Sequence, residues 1–329
     1  MFFAIKSFMK KIIEKYYKIV IDEANTFEIK NEYNKNIVMI LYERNYYVFK
    51  MFKMDCLEIT YIKAINSYLN YLYYEGIPIC KYVSTVNNKY VEFEKGYFFS
   101  LERRASGNIQ VEANEKQAYD MGKVLSQMHI VARKYKLKDS LQYPTSIFSK
   151  NDVNKYNFLS FLKIIRNDIG ETSILKQVES LFFYNRSKLI EIWNDLPNGV
   201  CQADFLLKNI AFENNNISEV FDFNLCSNKI FVYDFAQSVL FNFKDFSDNE
   251  RKNFYSFIYG YIYNYKLIEV EIEAWLYLCR ILYPTWKSKL NNILMLSNNQ
   301  KIIEVEKILS VLNGDMDEKF TSYRKYEKE

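Results

Sequence analysis

Three oxygen-bearing side chains stand close together in the stretch "VCQADFLLKNIAFENNNISEVFDFN", residues 200–224. Asp204 ends an apolar run, Asn209 follows it in a D-x-x-x-x-N spacing, and Asp222 sits in a second apolar run beyond a polar turn. Carboxylate and carboxamide oxygens are hard ligands of the kind Mg2+ prefers. A positioned carboxylate can also orient an attacking hydroxyl or take its proton. Phosphoryl transfer asks a protein for this set plus a cation on the phosphates, because it depends on placement and charge neutralisation more than on covalent help. Taken alone, Asp204 and Asn209 read more readily as ordinary turn formers.

The elements around them decide how that set could be held. "NIAFE" and "SEVFDF" read as two strands of a hairpin that would return Asp222 beside Asn209. Upstream, "NIVMILYERNYYVFKMF" alternates and is β-branched and aromatic, with a break at "ERN", which predicts a hairpin carrying Lys50 on its second strand. Lys53 is the rival cation; strand alternation favours Lys50. Next, Ile59, Ile62, Ile65, Leu69 and Leu72 recur at helical spacing, with Glu58 in the first turn and Gly76 at the C-terminal end. More strands follow, with turns at "VNNK" and "EKG". Beyond Gly107 the period becomes helical, with Ala118, Met121, Val124, Leu125 and Met128 on one face. The expected architecture is α+β and two-lobed. An amphipathic N-terminal helix lies in residues 1–26, a small β-rich lobe in 27–104, and a larger, mainly helical lobe with a hairpin insert in 105–329.

Composition narrows the classes. A chain of 329 residues that is 49% hydrophobic can bury the cores of two lobes. The 44 basic residues against 40 acidic ones are dispersed, so no nucleic-acid footprint is expected. Five widely spaced cysteines without a CxxC argue against a disulfide framework, and one histidine cannot build a multi-His metal centre. A reducing cytoplasm is the expected compartment. No signal-peptide h-region, no membrane-spanning run and no GxGxxG or GxxxxGK[ST] motif is seen.

In this order the segments resemble the aminoglycoside phosphotransferase and choline kinase-like superfamily, a branch of the protein-kinase-like fold, over roughly residues 27–290. "NKNIVMILYERNYYVFK" resembles its first hairpin, in which an Asn-containing turn replaces a Gly-rich loop. "MGKVLSQMH" resembles its G-x-x-L-x-x-L-H helix, and "CQADFLLKNIAF" its H-G-D-x-x-x-x-N-I-L-F segment. "VFDFNLCSNKIFVYDFAQSV" resembles the segment with the second metal carboxylate followed by D-L-A. The resemblance implies an ATP- and Mg2+-dependent transfer to a hydroxyl of a small molecule such as an amino alcohol, amino acid, sugar or aminoglycoside. It implies Asp204 acting on that hydroxyl, Asn209 and Asp222 on Mg2+, and Lys50 on the phosphates with Glu58 as its ion-pair partner. It further implies that backbone around Glu102 and Arg103 meets the adenine. One departure is Gln202-Ala203 where the family has His-Gly. It keeps open a second reading, a kinase-like binding or structural protein such as a spore-coat component. Kinase action on proteins is the third, and no activation-loop-like segment separates Asp222 from Asp234. His129 reads as a packed, hydrogen-bonded residue, Asp234 as an N-cap and loop brace, Cys201 as core, and the aromatics of 254–265 as mostly core.

Overall fold

The computed structural model describes residues 2–21, 26–32, 35–43, 45–53, 59–104, 107–136, 141, 153–243, 248–285 and 287–321. In chain order come α1 (Phe2–Tyr17), β1 (Thr26–Glu32), β2 (Lys35–Tyr42), β3 (Asn45–Lys53), α2 (Ile59–Tyr74), β4 (Lys81–Val83), β5 (Glu92–Glu94), β6 (Tyr97–Arg103) and β7 (Asn108–Ile109). Then follow α3 (Glu115–Arg133), α4 (Val153–Ile169), α5 (Ser173–Ile192), β8 (Asn198–Cys201), β9 (Ile210–Glu213), β10 (Asn216–Val220) and β11 (Ser227–Ile230). The chain closes with α6 (Phe231–Asn242), α7 (Asp248–Asn264), α8 (Glu269–Thr285), α9 (Lys287–Leu294), α10 (Asn298–Asn313) and α11 (Asp317–Thr321).

The N-terminal part is built on a small sheet and the longer C-terminal part is mainly helical. Contacts group the chain into two compact units, but not along a single boundary. One is Met1–Glu112 with Lys134–Gln142 and Leu207–Cys226; the other is Ala113–Arg133 with Tyr143–Leu206 and Ser227–Glu329. The expected insert thus groups with the N-terminal strands. The reason is non-local pairing: β9 pairs with β7 as well as β10, and the Val220 N–H donates to the Pro78 carbonyl at 2.7 Å.

In the first unit the sheet runs β1-β2-β3-β6-β4, with β5 also on β6. Successive strand residues face opposite sides. Val38, Ile40, Phe49, Met51, Phe99 and Leu101 therefore share one face, and the Met9, Ile12, Ile13 and Tyr17 stripe of α1 is buried against it. That burial is the main reason an N-terminal helix with lysines on its other face stays folded here. Lys50 points to the opposite face, where Ile62 of α2 packs on Phe98. The helix α2 ends as its sequence predicts, at Gly76 with φ 80, and the Ile77 N–H returns to the Leu72 carbonyl at 3.0 Å.

In the second unit α3 and α7 cross at two glycines. A Cβ on Gly122 would overlap the Phe257 carbonyl oxygen, and one on Gly260 would overlap the Tyr119 carbonyl oxygen. Bare backbone is what allows that approach. Trp275, Phe235 and Tyr261 form the adjoining core, with ring centroids of Phe235 and Tyr261 4.2 Å apart. β8 and β11 pair antiparallel and bring the segment before Asp204 beside the entry to α6. Cys80, Cys201, Cys226 and Cys279 are buried thiols; Cys56 lies outside the described residues.

Candidate active site

The second unit holds Asp204. β8 delivers the chain to Gln202, which is fully buried, and Ala203 then takes a left-handed backbone at φ 65. A glycine would be permissive here, whereas a Cβ costs about 1 kcal/mol in this region. Three bonds hold the turn. The Asp204 N–H donates to the Gln202 side-chain oxygen at 2.7 Å. The Ala203 N–H donates to Asp234 Oδ1 at 3.0 Å. Asn242 donates to the Phe205 carbonyl, also at 3.0 Å. Gln202 thus supplies an acceptor inside the loop, and Asp204 itself is half-buried.

Asp234 is anchored in turn. His129 Nε2 lies 3.0 Å from Asp234 Oδ2, and Nδ1 lies 2.7 Å from the Tyr261 hydroxyl. A carboxylate only accepts, so Nε2 carries the proton toward it. Burial first, then Tyr265, pushes the Tyr261 phenol up, so it stays a hydroxyl that can donate to Nδ1. The imidazole also stacks on Phe231, centroids 4.6 Å apart. The packed, satisfied histidine read from the sequence is what the structure shows. The brace reading of Asp234 also holds, but the N-cap reading does not: α6 begins earlier, with Ile230 as its cap. His129, Cys201 and Asp234 approach one another closely enough to hold a metal ion, yet both imidazole nitrogens are already hydrogen-bonded to protein groups.

The first unit holds the rest. Asn209 ends a 3-10 turn, Leu207–Asn209, and is buried. β9 and β10 pair as expected, and the Phe221 N–H reaches the Asn209 carbonyl at 3.0 Å, which returns Asp222 to Asn209. Asp222 sits at φ 62, and Asn224 donates its amide to Asp222 Oδ1. The Tyr61 hydroxyl of α2 is shared between the carbonyls of Cys226 at 2.6 Å and Asn224 at 3.2 Å, pinning the segment after Asp222. The sheet then supplies the cation. Lys50 is 7% exposed and its Nζ lies 2.5 Å from Glu102 Oε1. Burial alone would push its pKa down; the carboxylates of Glu102 and then Asp222 outweigh this and hold the ammonium above its ordinary range. A carboxylate, a carboxamide and a nearby ammonium suit a hard divalent cation with its phosphate.

Glu58 lies outside the described residues, as does the turn at 33–34. Glu102 and Arg103 lie inside the sheet, with β3 on one side of β6 and β4 on the other. Ladder pairing continues past them, since the Arg104 N–H donates to the Tyr46 carbonyl at 2.8 Å. Strand pairing on both sides of β6 thus includes Glu102 and Arg103. The Glu102 side chain is turned to Lys50, and Arg103 reaches outward to Asn45 Oδ1 at 2.6 Å.

Comparison with known proteins agrees with the fold. A model of the phosphotransferase enzyme family (APH) matches residues 61–257. An amicoumacin kinase in complex with AMP-PNP, Ca2+ and Ami shares the fold at TM-score 0.64 and 16% identity, over 94% of this chain and 93% of that one. A spectinomycin phosphotransferase in complex with ADP and spectinomycin follows at 0.61 and 16% identity, over 93% and 96%. A microcompartment-associated aminopropanol kinase matches at 0.63 and 12% identity, over 98% and 97%. No described helix is long and apolar enough to cross a membrane.

Proposed function

Since the chain belongs to the phosphotransferase enzyme family, we propose that it moves the γ-phosphoryl group of ATP to a hydroxyl of a small molecule. The observation that carries this reading is that Lys50 and Asp222, far apart in sequence, lie in electrostatic reach of each other in one unit. Asp204 orients the acceptor hydroxyl and takes its proton as the new P–O bond forms and the bond from the γ-phosphorus to the β,γ-bridging oxygen breaks, releasing ADP. Lys50 binds the phosphates. Asn209 and Asp222 hold Mg2+, which when bound neutralises the phosphate oxygens. The residues Gln202, Asp234 and Asn242 keep the Asp204 loop in one conformation, so that its carboxylate need not be ordered at each turnover. The AMP-PNP- and ADP-bearing relatives support ATP as donor, and this reading takes the cytoplasm as the compartment.

The acceptor class follows the superfamily: an amino alcohol, amino acid, sugar or aminoglycoside. The experiment is ATP consumption across a panel of such compounds, with Asp204→Asn as control. A positioned proton acceptor contributes about 10²- to 10⁴-fold, so the variant should lose that much turnover while still binding AMP-PNP. A wild type that binds nucleotide but consumes none with any acceptor would support a binding protein of kinase-like fold instead. The Gln202-Ala203 departure motivates that second reading; the bond from Gln202 to the Asp204 N–H favours the first.

A further inference from the structure

Lys50 has its carboxylate partner within its own sheet. Across β3 and β6, Lys50 stands directly opposite Ser100, and Val48 opposite Glu102. Glu102 is therefore the diagonal neighbour of Lys50 on the same face, a separation that long side chains bridge. Ser100 is small and leaves the amine room to lean toward Glu102. On the other side of β6, Tyr82 of β4 stands opposite Glu102, and burial first, then the Glu102 carboxylate, pushes its phenol well up. Glu102 is 1% exposed, and its side chain lies between the ammonium from one strand and the phenol from the next.

We propose that Glu102 is the positioning residue for the phosphate-binding cation: the register of β3 on β6 sets where the Lys50 ammonium stands. The inference rests on the reading of Lys50 as the phosphate cation. An ammonium has three donors, so one can stay on Glu102 while others meet phosphate oxygens. A partner on an adjacent strand cannot swing away as one on a separate helix can, so the lysine is held whether or not nucleotide is bound. The carboxylate also compensates a buried charge that would otherwise be strongly destabilising.

The test compares affinities for AMP-PNP and adenosine, by calorimetry in EDTA and again with Mg2+, for wild type, Glu102→Gln and Lys50→Ala. Glu102→Gln keeps the shape and removes the charge. It should weaken AMP-PNP by about tenfold, some 1.4 kcal/mol, and leave adenosine unchanged, so that the preference for the phosphorylated ligand shrinks. A purely structural residue would weaken both alike. Parallel losses, no loss, or tighter AMP-PNP binding would overturn the proposal. Should Glu102→Gln not fold, Tyr82→Phe takes its place. It removes only the hydroxyl on Glu102 and should shift the same preference in the same direction by a smaller factor; an unchanged preference there also overturns the idea. The underlying reading fails separately: Lys50→Ala would then keep the full preference for AMP-PNP, or wild type would show none.

Discussion

Ala203, in the second unit, and Asp222, in the first, both adopt the left-handed backbone region, at φ 65 and φ 62. They are held there differently. Ala203 has no polar side chain, so the conformation is imposed from outside, through the Asp234 carboxylate on its N–H and Gln202 on the next one. Asp222 belongs to a residue type that tolerates this region, and its own carboxylate takes part by accepting from Asn224. Strained backbone persists where surroundings over-determine it, and such places cluster at functional residues. The loop before Asp204 leans on the Asp234 carboxylate from α6, whereas at Asp222 the residue's own carboxylate takes part and the Tyr61 hydroxyl holds the carbonyls that follow.

The strongest way to break the contrast is Asp234→Ala. It strips acceptors from both the Ala203 N–H and His129 Nε2, at about 1–3 kcal/mol for each buried donor left without a partner. Thermal unfolding should show a large drop in melting temperature, and turnover should fall with it; an unchanged melting point would mean that the loop does not lean on α6. Tyr61→Phe is the counterpart in the first unit. It withdraws a shared hydroxyl from two carbonyls and should cost about 1–2 kcal/mol by denaturant titration. A cost as large as that of Asp234→Ala would erase the claimed asymmetry. Ala203→Gly sharpens the comparison with the opposite sign: relief of the left-handed strain should raise stability by about 0.5–1 kcal/mol. If stability falls, the alanine is not strained.

A control lies farther off. Burial holds the Glu271 carboxyl above its ordinary range, although the Tyr265 hydroxyl at 2.7 Å and the Ile268 N–H at 3.1 Å pull the other way. The folded state then keeps its proton to higher pH than the unfolded state, so stability should decline as pH rises from 4.5 to the raised folded value. Melting curves of wild type and Glu271→Gln across that window should differ by this slope, the smallest of the four effects. Parallel curves would show that the group does not titrate with folding.

Much of the fold was legible because its signals are local. Alternation alone put Lys50 on a strand, and helical spacing with a terminal glycine gave α2 nearly to its ends. The D-x-x-x-x-N spacing from Asp204 to Asn209 and the hairpin returning Asp222 were likewise visible in one short stretch. What escaped depends on register and on non-local pairing. Nothing in the residues around Glu102 says that it stands diagonal to Lys50, since that follows from how β3 slides along β6. The grouping of residues 207–226 with the N-terminal strands rests on bonds such as Val220 to Pro78. His129 could be recognised as packed, but its two partners come from α6 and α7, far along the chain. The start of α6 at Phe231 rather than near Asp234 turned an apparent cap into a side chain of the first turn.

The crossing of α3 and α7 sets more than a helix-to-helix distance. Gly122 and Gly260 let the two backbones touch, while His129 of α3 and Tyr261, next to Gly260 on α7, share a bond that holds the imidazole against Asp234, the acceptor of the Ala203 N–H. A single methyl group at Gly260 would wedge the helices apart, and the lesion would surface as poor turnover by a protein whose Asp204 loop is unaltered in sequence. In a mutational survey, these two glycines should therefore score like active-site residues.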